Sequence, residues 1–171
     1  MSLFETLARR RVTLGFLAAV AALVLAHPTP RTWSIGFAIA ACGEVIRIWA
    51  AGHLEKGREI TRSGPYRWAR HPLYLGSSIM AVGVVIASRS VVLAIMATIY
   101  MGSTIAAAIR MEETFLTTRF GDGYDRYRAS LGDPMPRRFS AARAIRNREY
   151  RAAAGLAAGF ALLALKMIGY L

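Results

Sequence analysis

The chain has 171 residues, 55% of them hydrophobic, and a mean hydropathy of +0.36, which is too apolar for a small soluble domain. Its formal net charge of +12 invites a nucleic-acid reading, but the cations flank apolar blocks, where they meet anionic lipid headgroups instead. The single cysteine, Cys42, excludes an intrachain disulfide and a multi-cysteine metal site, and His27, His53 and His71 lack the i, i+4 partners of a zinc or iron site.

In chain order, the first apolar block is Leu7–Ala26, opened by Arg9, Arg10 and Arg11. A cleaved signal peptide would look similar, but His27-Pro28-Thr29-Pro30 is a poor small-residue cleavage site. Trp33–Ala51 follows the proline turn, with Thr32 or Ser34 as its cap and Cys42 as a packing residue. Leu73–Ser88 and Ser90–Ile109 form a hairpin through Ser88-Arg89-Ser90. Phe120, Tyr124, Tyr127 and Leu131 then share one helical face, with Asp122 as cap and Gly132 and Pro134 as terminators. Ser140 caps a further short helix through Ala141, Ala142 and Arg143, and Ala152–Leu171 is the last apolar block. A spanning helix needs roughly 17–25 residues, which the third block meets only by borrowing from its flanks. The expected fold is therefore a single all-α domain: a polytopic membrane protein with five transmembrane helices and short amphipathic cytoplasmic helices.

Charge gives the orientation. Arg9–Arg11 precede the first block, and Lys56, Arg58, Arg62, Arg67 and Arg70 lie between the second and third. Nine cations lie from Arg119 to Arg151, whereas the opposite side offers only Arg31 and Arg89. The positive-inside rule puts the N-terminus and both basic segments in the cytoplasm and the C-terminus outside. The Ala- and Arg-rich composition points to a bacterial source, hence an inner membrane.

The densest chemistry lies in Ser63–Gly76, SGPYRWARHPLYLG, where membrane meets water. Two prolines, two glycines, two tyrosines, Arg67, Arg70 and His71 exceed what a connector needs, which is polarity and a turn. Blander readings stand beside this one. Tyr66, Trp68 and Tyr74 serve as interfacial anchors, His71 shapes a turn before Pro72, Glu112 and Glu113 are solvated, and Phe120, Tyr124 and Tyr127 simply pack.

Taken in order, these pieces resemble the isoprenylcysteine carboxyl methyltransferase and phospholipid methyltransferase superfamily. Its Gly-x-Tyr-x-x-x-Arg-His-Pro-x-Tyr-x-Gly run is matched by Gly64, Tyr66, Arg70, His71, Pro72, Tyr74 and Gly76. Its Glu-Glu pair is matched by Glu112 and Glu113, and its Phe-Gly-x-x-Tyr-x-x-Tyr run by Phe120, Gly121, Tyr124 and Tyr127. Pro134-Met135-Pro136-Arg137-Arg138-Phe139 resembles the Pro-Arg segment that closes the family's catalytic region. The resemblance covers about residues 40–140 and implies a membrane-embedded methyltransferase that uses S-adenosylmethionine and releases S-adenosylhomocysteine.

On that implication the residues divide by chemistry. Arg70 and His71 are donors for the cofactor carboxylate, and Glu112 and Glu113 accept from ribose or ammonium. Tyr66, Tyr74, Tyr124 and Tyr127 pack adenine or face the sulfonium. Gly64 and Gly76 permit close backbone approach, and Pro72 opens a helix whose N-terminus favours an anion.

Glu44 and Arg47 form a second feature, at i, i+3 within an apolar block. Burying either alone costs roughly 2.5–3.5 kcal/mol on insertion scales. They are either a self-neutralising structural pair or, with Glu113, candidate catalytic groups, Arg47 meeting the cofactor or an acidic acceptor and Glu44 orienting it. The acceptor should be lipophilic: an isoprenoid, a prenylcysteine-like carboxylate or a lipid amine. Two alternatives remain open: an NADPH-dependent membrane reductase related to sterol reductases, and a non-enzymatic lipid-binding protein.

Overall fold

The structure is a computed structural model that describes residues 20, 23–130 and 135–169. Among these residues it is all helical. The first predicted span, Leu7–Ala26, falls largely outside them, as do Leu131, Gly132 and Pro134.

Helix α1 is Pro30–Ala51. Its cap is Thr29, three residues before the predicted Thr32 and five before Ser34. Thr29 Oγ1 accepts from Thr32 N at 3.2 Å while Thr32 Oγ1 accepts from Thr29 N at 3.0 Å. Pro30 suits the first helical position, because its missing N–H would have no partner there. Helix α2 is Pro72–Ser88, and it ends at Arg89 in the left-handed conformation (φ 51°). Ser90 then caps helix α3, Val91–Phe120, which continues unbroken past the predicted end at Ile109. Gly121 stops it, and the short amphipathic helix α4, Asp122–Ser130, follows. Ser140 caps helix α5, Ala141–Arg146, by accepting from Arg143 N, as the sequence predicts. Helix α6 is Tyr150–Met167.

Three of these helices, α1, α3 and α6, are long and apolar enough to cross a membrane; α2 is also apolar but has 17 residues. Only Leu93 and Ala107 are buried along α3, and Val91 and Ile99 are 76% and 66% exposed, as expected where lipid is the solvent.

The antiparallel α1–α2 pair forms the centre of the fold. It packs with almost no space between backbones. A Cβ on Gly36 would lie 2.4 Å from Gly83 O, and one on Gly43 would lie 2.6 Å from Gly76 O. In lipid such contact replaces the hydrophobic drive that packs helices in water. Helix α6 joins through Phe160 and Leu163, which are buried with Ala26, Ala40 and Ala87. Trp33 stacks on Phe37, sets its ring edge-on to Phe160 and donates from Nε1 to Phe160 O at 2.9 Å.

Candidate active site

The end of α1, the loop 52–71, the start of α2, the last turns of α3 and the junction of α5 with α6 enclose a cavity of about 640 Å³. That is within the roughly 300–1,000 Å³ of ordinary ligand sites.

The loop is shaped first. Gly64 sits at φ 56°, and a Cβ there would lie 2.5 Å from the His53 ring. Its backbone starts the 3₁₀ turn Gly64–Arg67, which turns Tyr66 inward, while Trp68 stays exposed. Tyr127 Oη on α4 donates to Tyr66 O at 3.1 Å, holding the turn from outside. His53 exchanges a 3.0 Å hydrogen bond between Nδ1 and Ser63 Oγ. Burial, then the nearby Arg143 and Arg137, hold its imidazole below the ordinary value, so it is a neutral structural group.

The segment after α4 clamps the same loop. Arg137 donates to His53 O at 3.2 Å and to Glu59 Oε2 at 2.8 Å. Arg143 donates to Glu55 at 2.8 Å, and Asn147 Nδ2 reaches both Ala51 O and Leu54 O at 2.9 Å. The described part of the Pro-Arg segment, residues 135–139, is thus a strap, with Arg137 as its anchor.

One wall of the cavity carries Tyr66, Arg70, His71, Pro72, Tyr74, Glu112 and Tyr127 from the sequence motifs. Arg70 Nη1 donates to Glu113 Oε1 at 3.0 Å, and His71 Nε2 lies 3.4 Å from the same oxygen. His71 Nδ1 is buried and has only a long 3.5 Å approach to Glu112 Oε2. Burial opposes a charge on His71, but Glu112 and Glu113 outweigh it and hold the imidazole above its ordinary value. Burial, foremost, pushes the Tyr66 phenol up, and the Tyr127 phenol to about 12, so both are neutral donors.

A second wall is formed around Arg47. Its Nε donates to Glu149 Oε1 at 2.6 Å, and its Nη1 donates to Ser77 Oγ and to Leu73 O. Glu44 stands farther off, 3.7 Å from Nε, and both its oxygens are buried without a hydrogen bond. The apolar side is Leu54, Ile60, Met111, Phe115 and Leu116.

Five of the predicted residues lie outside the lining, Glu44 behind Arg47 among them. Gly76 packs against Arg47 and the Gly43 carbonyl, so its smallness serves the helix crossing. Gly64 faces His53. Tyr124 is 1% exposed beneath the site, with its hydroxyl unpartnered, and Glu113 reaches the wall only through Arg70 and His71. Glu149 and Asn147 were not foreseen. A lone acid in the basic run 143–151 was the available signal.

Comparison with known proteins gives the family. Residues 31–123, more than half of the chain, match the phospholipid methyltransferase family, and the chain belongs to it. It is 26% identical over 99 residues to the protein-S-isoprenylcysteine O-methyltransferase of Schizosaccharomyces pombe, covering 58% of this chain and 42% of that protein. It is 31% identical over 83 residues to the nickel-cobalt-cadmium resistance protein NccN of Alcaligenes xylosoxydans xylosoxydans, covering 47% and 38%. Against the uncharacterized protein YpbQ of Bacillus subtilis it is 31% identical over 72 residues, covering 36% and 43%. The matches thus span about two fifths of these curated relatives. No solved structure matches the chain.

Proposed function

We propose that the protein is a membrane-embedded methyltransferase that uses S-adenosylmethionine and acts on a lipophilic acceptor. The observation that carries this reading is the cavity itself. Its wall of Tyr66, Arg70, His71 and Glu112 meets an apolar wall of Met111, Phe115 and Leu116 beside helices suited to lipid. A polar cofactor and an apolar acceptor thus have adjoining surfaces.

The residues present fit S-adenosylmethionine. Arg70 and His71 offer donors for a carboxylate at the N-terminus of α2, and His71 Nδ1 is poorly satisfied without a further partner. Glu112 offers an acceptor for ribose hydroxyls or an ammonium. The rings of Tyr66, Tyr74 and Tyr127 offer faces for adenine or a sulfonium. When bound, the cofactor supplies an electrophilic methyl group. The chain's own work is then to bind, orient and keep dry. Glu113 orients Arg70 and His71. Arg47, fixed by Glu149, Ser77 and Leu73, faces the acceptor. Phe115 and Leu116 exclude water from the space between.

Calorimetric titration of the detergent-solubilised protein with S-adenosylhomocysteine and with NADPH tests the assignment. S-adenosylhomocysteine should bind and NADPH should not; the reverse points to a reductase, and binding of neither to a lipid-binding role. His71→Ala should weaken S-adenosylhomocysteine binding by roughly 1–3 kcal/mol, since a partly buried polar partner is lost. Unchanged affinity in a folded variant removes His71 from the site.

The same reading puts the cavity on the cytoplasmic side, because Lys56 lines it and Arg58, Arg62 and the cations of 137–151 lie on or next to the segments that form it. A C-terminal reporter that works only outside the cytoplasm should then be active in an inner membrane. A signal from a cytoplasm-only reporter would mean that the chain crosses the bilayer an even number of times.

A further inference from the structure

We propose that Glu149, which lies beyond the family-matched residues, sets the charge preference of the acceptor end: by neutralising Arg47 it turns away lipophilic anions. The proposal rests on the reading above that the Arg47 end takes the acceptor.

Taken alone, an arginine in an apolar crevice is an invitation to a carboxylate. Here the invitation is already answered. Glu149 Oε1 takes Arg47 Nε at 2.6 Å, and Ser77 Oγ and Leu73 O take Nη1. Glu44 adds a second acid 3.7 Å from Nε, with no hydrogen bond of its own. The end therefore has two carboxylates for one guanidinium. An arriving anion would have to displace Glu149 and sit in the field of Glu44, where little water screens like charges. Arg70 and His71 lie on the other wall, beside Glu112 and Glu113, where the reading above assigns them to the cofactor and not to the acceptor.

Glu149 is aimed, not loosely placed. Asn147 ties the α5–α6 junction to the end of α1, at Ala51 O, and to the loop after it, at Leu54 O, by two 2.9 Å hydrogen bonds. Arg148 then takes φ 61°, an unusual conformation for a side-chain-bearing residue, and this separates α5 from α6. Glu149 follows at the N-terminus of α6, which favours its charge, and it is 6% exposed. A short anchored turn thus delivers one carboxylate to one guanidinium. An uncharged head keeps access to the free edge of Arg47 without this conflict.

The test uses the full chain in detergent, with octanol and octanoate as probes titrated calorimetrically against empty micelles, and S-adenosylhomocysteine as control. Wild type should bind octanol about tenfold more tightly than octanoate, or about 1.4 kcal/mol. Glu149→Gln keeps the shape and removes the charge. It should bind octanoate about tenfold more tightly than wild type does, so that the preference for octanol over octanoate disappears. Wild type that binds both probes equally, or neither, overturns the proposal. So does octanoate binding that weakens in Glu149→Gln, which would make Glu149 only a brace for Arg47. If that variant does not fold, the wild-type comparison alone decides. Absence of S-adenosylhomocysteine binding would strike the cofactor reading and leave the probe comparison standing.

Discussion

Arg47→Ala should lose about 3–5 kcal/mol of stability, because it leaves Glu44 and Glu149 buried without their shared cation. Thermal unfolding in detergent, followed by helicity, measures this. Arg47→Lys separates structure from chemistry. Its ammonium keeps the charge but cannot serve Glu149 and Ser77 from two fixed nitrogens of one plane. It should therefore insert and stay folded while losing most methyl transfer to a lipophilic acceptor. Near-normal turnover in Arg47→Lys would reduce the cluster to structure and move the active-site search to Tyr66–Tyr74 and Glu112-Glu113.

Gly83→Ala carries the second large effect. The new Cβ would lie 2.5 Å from Gly36 O and 2.6 Å from Ala40 N, so backbone, not a movable side chain, must give way. A loss of about 1–3 kcal/mol is expected, and Gly83→Leu should prevent the α1–α2 pair from forming. Gly102→Ala is the control. Nothing lies within 4 Å of its Cβ position, so helix propensity should leave it neutral or up to about 1 kcal/mol more stable. Equal losses at both positions would mean that close backbone contact does not hold α1 to α2.

The two classes of feature differed in how legible they were. Ordered motifs named Tyr66, Arg70, His71, Tyr74, Glu112 and Tyr127, and these do line one cavity. They could be read because each joins a residue type to a local turn or helix face. Glu149 could not, since its partner Arg47 lies 102 positions away and its neighbours made it look solvated. Glycines misled for a related reason. Gly76 has the smallness expected for a ligand's approach, but its close neighbours are Arg47 and the Gly43 carbonyl. Apolar blocks, similarly, mark where lipid contact begins and ends, not where a helix does. The stretch after Ile109 has no proline or glycine until Gly121, so α3 runs on to Phe120.

That length has a consequence for where the enzyme would work. Thirty residues rise about 45 Å, well beyond a hydrocarbon core of roughly 30 Å, and the last turns carry Glu112 and Phe115 to the cavity lining, with Glu113 behind it. The same rod is therefore both a membrane span and a wall of the cavity, and along it only Leu93 and Ala107 are buried. A thicker bilayer would stand the rod upright and a thinner one would lean it over. Either change would shift the acids of α3 against the arginines opposite. On the methyltransferase reading, the acyl-chain length of the surrounding lipid would then set the width of the cavity.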